Sequence, residues 1–150
     1  MGFLDKSIIP TDSVIIIPSA TLYHFGVLES NVHMAWMRVV CGRLEMRYRY
    51  SKDVVYNNFP WPFSLPAGEG RGEANIAQTA QAILDVRAKY PDSSLADLYD
   101  PATMPYDLLE AHRKNDRAVM QAYGFSTKMT ESECVARLFE MYARMTEEEK

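Results

Sequence analysis

A glycine-rich break divides this sequence into two segments with different periodicities. The stretch 63–74, FSLPAGEGRGEA, holds three of the chain's seven glycines together with a proline, a composition typical of a flexible linker or loop. Before the break the residues repeat in both strand-like and helix-like patterns, whereas after it they repeat at helical spacing only. We therefore expect a mixed segment over 1–62, a linker over 63–74 and a helical domain over 75–150.

The patterns before the break predict short strands on both sides of one helix. Residues 13–18, SVIIIP, form a β-branched run that ends at a proline, which is typical of a buried or edge strand. Over 25–41 the apolar residues recur at helical spacing, and Gly42 follows as a helix stop signal. Strict alternation over 44–51, LEMRYRYS, predicts a half-buried strand with a charged outer face, and VVY at 54–56 predicts a second strand or an extension.

The patterns after the break predict three helices. One helix ends at about residue 90, a longer one covers 105–123, and Gly124 follows the longer one as a C-terminal cap. Thr130 and Glu133 have the spacing of a capping box that begins the last helix. Together these patterns predict an α+β fold, in which a small mixed α/β segment of short strands and one helix precedes a three-helix C-terminal bundle.

The composition is that of a globular protein and has no feature of export or membrane insertion. The chain is 47% hydrophobic and 24% charged, and no run approaches the roughly 18 apolar residues of a membrane span. The start, MGFLDKSIIP, lacks the basic residues and long apolar core of a signal peptide. Cys41 and Cys134 are far apart, and His24 and His33 are not spaced as a metal pair. We therefore expect a cytoplasmic protein with no membrane partner, no disulfide framework and no metal site.

The charge of the chain is distributed unevenly. The formal net charge is -4, which disfavours nonspecific binding of nucleic acid by bulk charge. Between Arg38 and Lys52, however, five basic residues accompany a single acidic one, whereas the last twenty residues contain six glutamates and three basic residues. The basic region is therefore suited to contact a polyanion, and the acidic end is not.

The stretch VVYNNFPWP at 54–62 has a superficial likeness to the Asn-Pro-Pro-aromatic motif with which amino-methyltransferases bind a flipped base. Here Phe59 separates Asn58 from Pro60, and the chain has neither the glycine-rich turn nor the alternating strands and helices of a cofactor-binding domain. We interpret the stretch as a turn that is restricted by its prolines and packed by its aromatic residues, with Asn57 and Asn58 hydrogen-bonding the turn. We predict no catalytic residue in this chain.

The charged positions of 44–51 are the strongest candidates for a binding site. Arginine pairs bidentately with guanine O6 and N7, and glutamate accepts from cytosine N4, so Glu45, Arg47 and Arg49 form a chemically sensible base-reading row. Strand residues two apart are separated by about 6.6 Å, near twice the rise of a base pair. An ordinary solvated strand face with cross-strand ion pairs would give the same pattern. The pattern alone leaves both interpretations open.

Long runs of this sequence are more specific than any of its short motifs. They are ATLYHFGVLESNVHMAWMRVVCGRLEMRYRYSKDVVYNNFPWP at 20–62 and AQAILDVRAKYPDSSLADLYDPATMPYDLLEAHRKNDRAVMQAYGF at 80–125. Both resemble the C-terminal end of MmeI-like single-chain restriction-modification enzymes and their DNA methyltransferase relatives, over about residues 1–143. By this resemblance, 1–62 is the C-terminal part of a DNA target-recognition domain and 75–150 is a C-terminal helical domain.

The resemblance implies that the chain is a DNA sequence-recognition fragment of a prokaryotic DNA (adenine-N6) methyltransferase or restriction-modification enzyme. Such a fragment has no catalytic centre and is not an enzyme by itself. The parent enzyme would use S-adenosylmethionine, and this chain would bind no cofactor. The partners implied are double-stranded DNA and the methyltransferase domain of the same parent chain.

The resemblance also selects residues for base recognition, on the segment similar to GRLEMRYRY and on the turn before VIII. They are Glu45, Arg47, Arg49, Asp12 and Ser13. The neighbouring basic residues are the expected phosphate contacts, and they are Arg38, Arg43 and Lys52. The alternative function is a protein-interaction module, whose aromatic strand face and helices dock other domains or chains.

Overall fold

The computed structural model describes residues 1–12, 14–44, 47–62 and 71–148, with the backbone alone described at 42–44, 47–49, 71 and 148. Within these residues a first segment without regular structure precedes a series of helices and one β-hairpin. In chain order the elements are α1 (Leu22–Leu28), α2 (Asn31–Val40), β1 (Gly42–Leu44), β2 (Arg47–Arg49), a π-helical turn (Lys52–Tyr56), α3 (Arg71–Arg87), α4 (Leu95–Leu98), α5 (Tyr106–Ala122) and α6 (Glu131–Glu148). None of these helices combines the length and the hydropathy needed to cross a membrane.

The predicted α+β fold is wrong, because the regular structure of the described residues is helical apart from one short hairpin. β1 and β2 have three residues each and pair antiparallel, so the single strand predicted over 44–51 is replaced by a chain reversal. The run 14–17 forms no strand, and 52–56 forms a π-helical turn where a strand was predicted. A β-branched sequence becomes a strand only where a neighbouring strand satisfies its backbone hydrogen bonds, and 14–17 has no such neighbour among the described residues.

The single helix predicted over 25–41 is two helices, α1 and α2. Ser30 separates them, because its side-chain oxygen donates to Val27 O at 2.6 Å and accepts from His33 N at 3.4 Å. This serine therefore caps α2 and also satisfies a carbonyl at the end of α1. The apolar stripe continues through both helices, which is why the sequence pattern did not reveal the break.

The first helix after the glycine-rich break begins earlier than predicted. α3 starts at Arg71, within the range 63–74 that was predicted as a linker.

The two halves of the chain share one hydrophobic core. Val27 and Trp36 from the first half pack in the same buried cluster as Val119 and Leu138 from the second. A second cluster brings Phe25 of α1 together with residues of α3 and α5, namely Ala80, Ile83, Leu108 and Ala111. The helices before the break are thus fixed in position by the helices after it.

The two halves approach each other closely at Gly26 of α1. A Cβ atom at this position would lie 2.7 Å from Ile76 Cγ2 and 3.0 Å from Asn115 Oδ1. The fully buried Asn115 donates from Nδ2 to the Gly26 carbonyl at 2.7 Å and accepts from Thr79 Oγ1 at 3.0 Å. Because residue 26 is a glycine, α3 and α5 can contact the backbone of α1. The position of α1 then sets where α2 and the hairpin, which follow it in the chain, begin.

Candidate nucleic-acid interface

The hairpin brings three of the predicted DNA-contacting positions together. Arg47 lies opposite Leu44, Arg49 lies opposite Gly42, and Arg43 lies opposite Tyr48. Adjacent strands are separated by about 4.8 Å and residues along a strand by about 3.3 Å. The three arginine positions therefore fall within one short two-stranded ribbon. Glu45, the residue after Leu44 in the sequence, lies outside the described residues.

Both ends of the hairpin are connected to α2. β1 follows α2 after the single buried residue Cys41. Tyr50 follows β2 directly, and its hydroxyl lies 3.0 Å from Nε2 of His33 on α2. The His33 ring is fully buried and packs edge-on against Phe59, with ring centroids 4.6 Å apart. The position of the hairpin is thus coupled to a helix in the core.

Both members of the His33–Tyr50 pair are neutral at pH 7, and burial moves the pKa of each further from neutrality. Desolvation lowers the pKa of His33 to about 4, and burial, with a smaller contribution from Tyr56, raises the pKa of Tyr50 to about 12. No hydrogen-bond partner of His33 Nδ1 is found among the described residues. A buried acceptor without a partner costs less than a buried N–H donor without one. We therefore assign the Nε2–H tautomer, which donates to Tyr50 Oη.

The turn after the hairpin is a packed structural unit, as its sequence predicts. Asn58 Nδ2 donates to the carbonyls of Asp53 and Val54 at 2.9 and 3.2 Å, and Asn57 Nδ2 donates to Asp53 Oδ1 at 3.4 Å. Phe59 is 1% exposed. Its neighbour Trp61 has ring contacts with Tyr23, His24, Tyr56 and Phe59. The side chains of this turn are therefore engaged in contacts within the fold.

Three other predicted residues, Arg38, Lys52 and Asp12, lie on different parts of the surface. Arg38, at the end of α2, forms an ion pair with Glu131 at the start of α6, with 2.8 Å between Nη1 and Oε2. Lys52 is exposed at the beginning of the π-helical turn, three residues after Arg49. Asp12 is exposed in the segment before α1, and Ser13 lies outside the described residues.

Sequence reasoning missed a cleft of about 580 Å³ beside α2, between α5 and the start of α6. Arg38, Arg113 and Arg117 line it, together with Asp116 and Glu131. Asp116 accepts from the backbone N and the Nδ2 of Asn31, at 2.8 and 2.7 Å, at the first turn of α2. Burial raises the pKa of Asp116, whereas the hydrogen bond from the Asn31 backbone N–H and the charge of Arg117 oppose that rise. The basic stretch HRKNDR of α5, residues 112–117, was the sequence signal for this cleft.

The described residues contain no candidate metal centre, since no three histidine, cysteine or acidic side chains are grouped together. Cys41 and Cys134 are both buried and are not joined in a disulfide. Burial raises the pKa of the Cys134 thiol to about 11. At neutral pH this thiol is protonated and therefore a poor nucleophile.

Two family models match this chain, one on each side of the glycine-rich break. The model of the MmeI target recognition domain matches residues 1–63, and the model of the MmeI C-terminal domain matches residues 69–148. Neither match overlaps the other, and together they leave only 64–68 and the last two residues unmatched.

Two relatives match most of this chain. DNA methyltransferase A of Bacillus subtilis (strain 168) is 36% identical over 147 residues, which is 98% of this chain and 16% of that protein. The solved structure of the Type IIL restriction-modification enzyme MmeI in complex with DNA is 50% identical, with a TM-score of 0.80, and the match covers 87% of this chain and 17% of that one. The chain thus spans less than a fifth of the length of either relative.

Proposed function

This chain belongs to the MmeI family of restriction-modification enzymes, and we propose that it supplies the DNA sequence recognition of a larger methyltransferase. The bases are read by Arg47 and Arg49 on β2 together with Glu45. The chain has no catalytic centre of its own. S-Adenosylmethionine and the target adenine are bound by the methyltransferase domain of the parent chain, into which the adenine is flipped from the duplex.

The observation that supports this proposal most directly is the arginine hairpin. A two-stranded β-ribbon fits the major groove of B-DNA, which is about 12 Å wide. Residues two apart on a strand belong to the same face of the ribbon, as Arg47 and Arg49 do by their register on β2. Arginine at such positions can pair bidentately with guanine, and Glu45 can accept from cytosine. The solved relative was determined in complex with DNA, which is consistent with this use of the ribbon.

The other predicted residues have supporting roles in the proposal. Arg43 on β1 and Lys52 after the hairpin contact phosphates and fix the register of the ribbon on the duplex. Arg38 joins them when it exchanges Glu131 for a phosphate. That exchange costs little, because an exposed ion pair contributes only about 0–1 kcal/mol. Asp12 and Ser13, before α1, form a second base-reading position.

The test is DNA binding by the whole chain. Sequences selected from a randomised duplex pool identify the preferred site, and fluorescence anisotropy then measures affinity for that site over a series of salt concentrations. We expect Arg47→Ala and Arg49→Ala each to reduce discrimination against the wrong base by roughly 5- to 150-fold. Lys52→Ala should weaken binding to all sequences alike and reduce the salt slope by about one.

Arg137→Ala is the matched control. It removes the same charge from an exposed position on α6, where Arg137 pairs with Glu140 at 3.0 Å, and should leave DNA binding unchanged. If the chain selects no sequence, or if Arg47→Ala, Arg49→Ala and Arg137→Ala behave alike, the recognition role is refuted.

A second candidate function, docking of other domains of the parent chain, is favoured by the segment before α1. The described residues of this segment, 1–12 and 14–21, form no helix or strand and expose several large apolar side chains. They are Phe3, Leu4, Ile8, Ile9, Val14, Ile15 and Ile16. Exposed apolar surface of this extent is typical of interaction sites. Binding of the methyltransferase domain, supplied as a separate protein, should be lost on Ile9→Asp plus Ile15→Asp and kept on Arg47→Ala.

A further inference from the structure

We propose that His33 is a positioning residue for DNA sequence reading, which fixes the orientation of the arginine hairpin through its hydrogen bond to Tyr50. This inference rests on the proposed function of Arg47 and Arg49. It adds a residue that contacts no DNA and that no sequence motif selects.

The connection between His33 and the hairpin is short. Tyr50 is the residue immediately after Arg49, the last residue of β2, and its hydroxyl meets His33 Nε2 at 3.0 Å. β1 begins one residue after Cys41, the C-cap of α2. The covalent chain therefore connects one strand to α2, and the hydrogen bond connects the other. Without this hydrogen bond, Tyr50 keeps only apolar packing against the core, and the next described polar contact between this part of the chain and α2 is that of Trp36 with Val55, five residues further on. The C-terminal end of β2 is then less constrained, and the ribbon can shift about its β1 end.

His33 is itself held rigidly. Its side chain is fully buried, and its ring is edge-on to Phe59 at 4.6 Å. Phe59 is edge-on to Trp36 and Tyr123, at 6.2 and 6.4 Å, and belongs to the shared core. Trp36 in turn donates from Nε1 to the Val55 carbonyl at 3.0 Å. A side chain packed among these rings has one orientation, which gives Tyr50 a fixed partner.

A small displacement of the hairpin would matter because base reading is geometric. A bidentate arginine–guanine pair requires both hydrogen bonds within about 0.3 Å of their optimal length. Phosphate contacts by flexible lysine and arginine side chains tolerate larger shifts. Loss of the His33–Tyr50 hydrogen bond is therefore expected to reduce sequence discrimination while it leaves nonspecific, salt-dependent affinity nearly unchanged.

Four variants separate positioning from a general loss of stability. His33→Phe and Tyr50→Phe each keep a ring and remove one polar partner. The double variant removes both polar groups, which should restore stability lost in His33→Phe or Tyr50→Phe, because no buried group is then left unpaired. His33→Gln keeps an N–H donor at about the position of Nε2.

The measurements are the affinity ratio between the selected duplex and a duplex with one changed base, the salt slope, and hydrogen exchange of the hairpin amides in the free chain. We expect the ratio to fall about 5- to 10-fold in His33→Phe, in Tyr50→Phe and in the double variant alike. We expect an unchanged salt slope, faster exchange at Gly42–Arg49, and retention of most of the ratio in His33→Gln.

The outcomes distinguish this inference from the proposed function. If Arg47→Ala abolishes discrimination but the double variant, folded as stably as the wild type, keeps the full ratio and slow hairpin exchange, His33 has no positioning role. If the chain binds no DNA, the proposed function fails, and hydrogen exchange alone still decides whether His33 fixes the hairpin. A ratio that falls only in parallel with the melting temperature would also overturn the inference.

Discussion

At the scale of single residues, the buried histidine makes the stability of the fold depend on pH. Burial lowers the pKa of His33 to about 4, from 6.5. Between these two values the unfolded chain binds a proton that the folded chain excludes, so the free energy of unfolding decreases as the pH falls from about 6.5 to 4. The decrease attributable to His33 is about 3 kcal/mol.

Urea denaturation at pH 7 and at pH 4.5 measures this dependence, with His33→Phe as the comparison. Carboxylates titrate in both proteins and cancel when the two are compared. We expect the wild type to lose more stability than the variant over this interval. An equal loss in the two proteins would contradict the assignment of a neutral, desolvated histidine.

A second prediction at this scale concerns the glycine where α1 meets α3. Gly26→Ala should lower the free energy of unfolding by about 1–3 kcal/mol, because the new Cβ overlaps Ile76 Cγ2 and crowds Asn115. Gly72→Ala is the matched control within a helix. Its Cβ would lie 3.7 Å from Ala122 Cβ, an ordinary contact. Because Gly72 is the second residue of α3, the change should stabilise the helix by at most the roughly 0.5–1 kcal/mol typical of a helix interior. Chemical denaturation of both variants checks the opposite signs.

At the scale of elements, the start of α6 depends on a reciprocal cap. Thr130 Oγ1 accepts from Glu133 N at 3.3 Å, and Glu133 Oε2 accepts from Thr130 N at 2.8 Å. Thr130→Ala should cost about 1 kcal/mol of stability by urea denaturation. Ser132 is the second residue of α6 and is exposed. The free energy of unfolding of Ser132→Ala should therefore stay within about 0.5 kcal/mol of the wild type. Equal effects would mean that the cap contributes nothing.

The elements that the sequence predicted well are those specified by neighbouring residues. The Thr130–Glu133 spacing and the glycine after α5, whose φ is 68°, act within one helical turn, so their pattern is complete in the sequence. The strand over 13–18 failed because a strand requires a partner that sequence periodicity does not identify. The break between α1 and α2 was missed because Ser30 interrupts the backbone without interrupting the apolar stripe.

The candidate site likewise has some features that are local in the sequence and others that depend on distant residues. Alternation, which is a local property, predicted Arg47 and Arg49 on one strand, and both lie on β2. The chain reversal that pairs them with β1, and the contact between His33 and Tyr50, join residues that are not neighbours in sequence. The residue type alone does not distinguish a buried core histidine from a metal-binding one, whereas the packing of His33 against Phe59 shows that its ring lies in the core.

At the scale of the whole molecule, the two segments on either side of the break depend on each other for their core. Trp36 and Phe59 before the break, and Ile76 and Leu138 after it, are at most 1% exposed and belong to the same cluster. If the segments are separated, each exposes this surface to water, at a cost of about 25 cal/mol per Å² of apolar area. Two recognisable sequence domains therefore need not be two independent folding units.

We accordingly expect residues 1–62 and 71–150, produced as separate polypeptides, to lack cooperative thermal unfolding by circular dichroism, and their mixture to regain it. The matched control is the intact chain with a protease site inserted within 63–70. Cleavage there breaks the connection after folding, so the two pieces should remain associated in gel filtration and unfold together. Cooperative unfolding of either segment alone would show that the shared core is dispensable, since the buried faces of α2 and α6 would then be stable without each other.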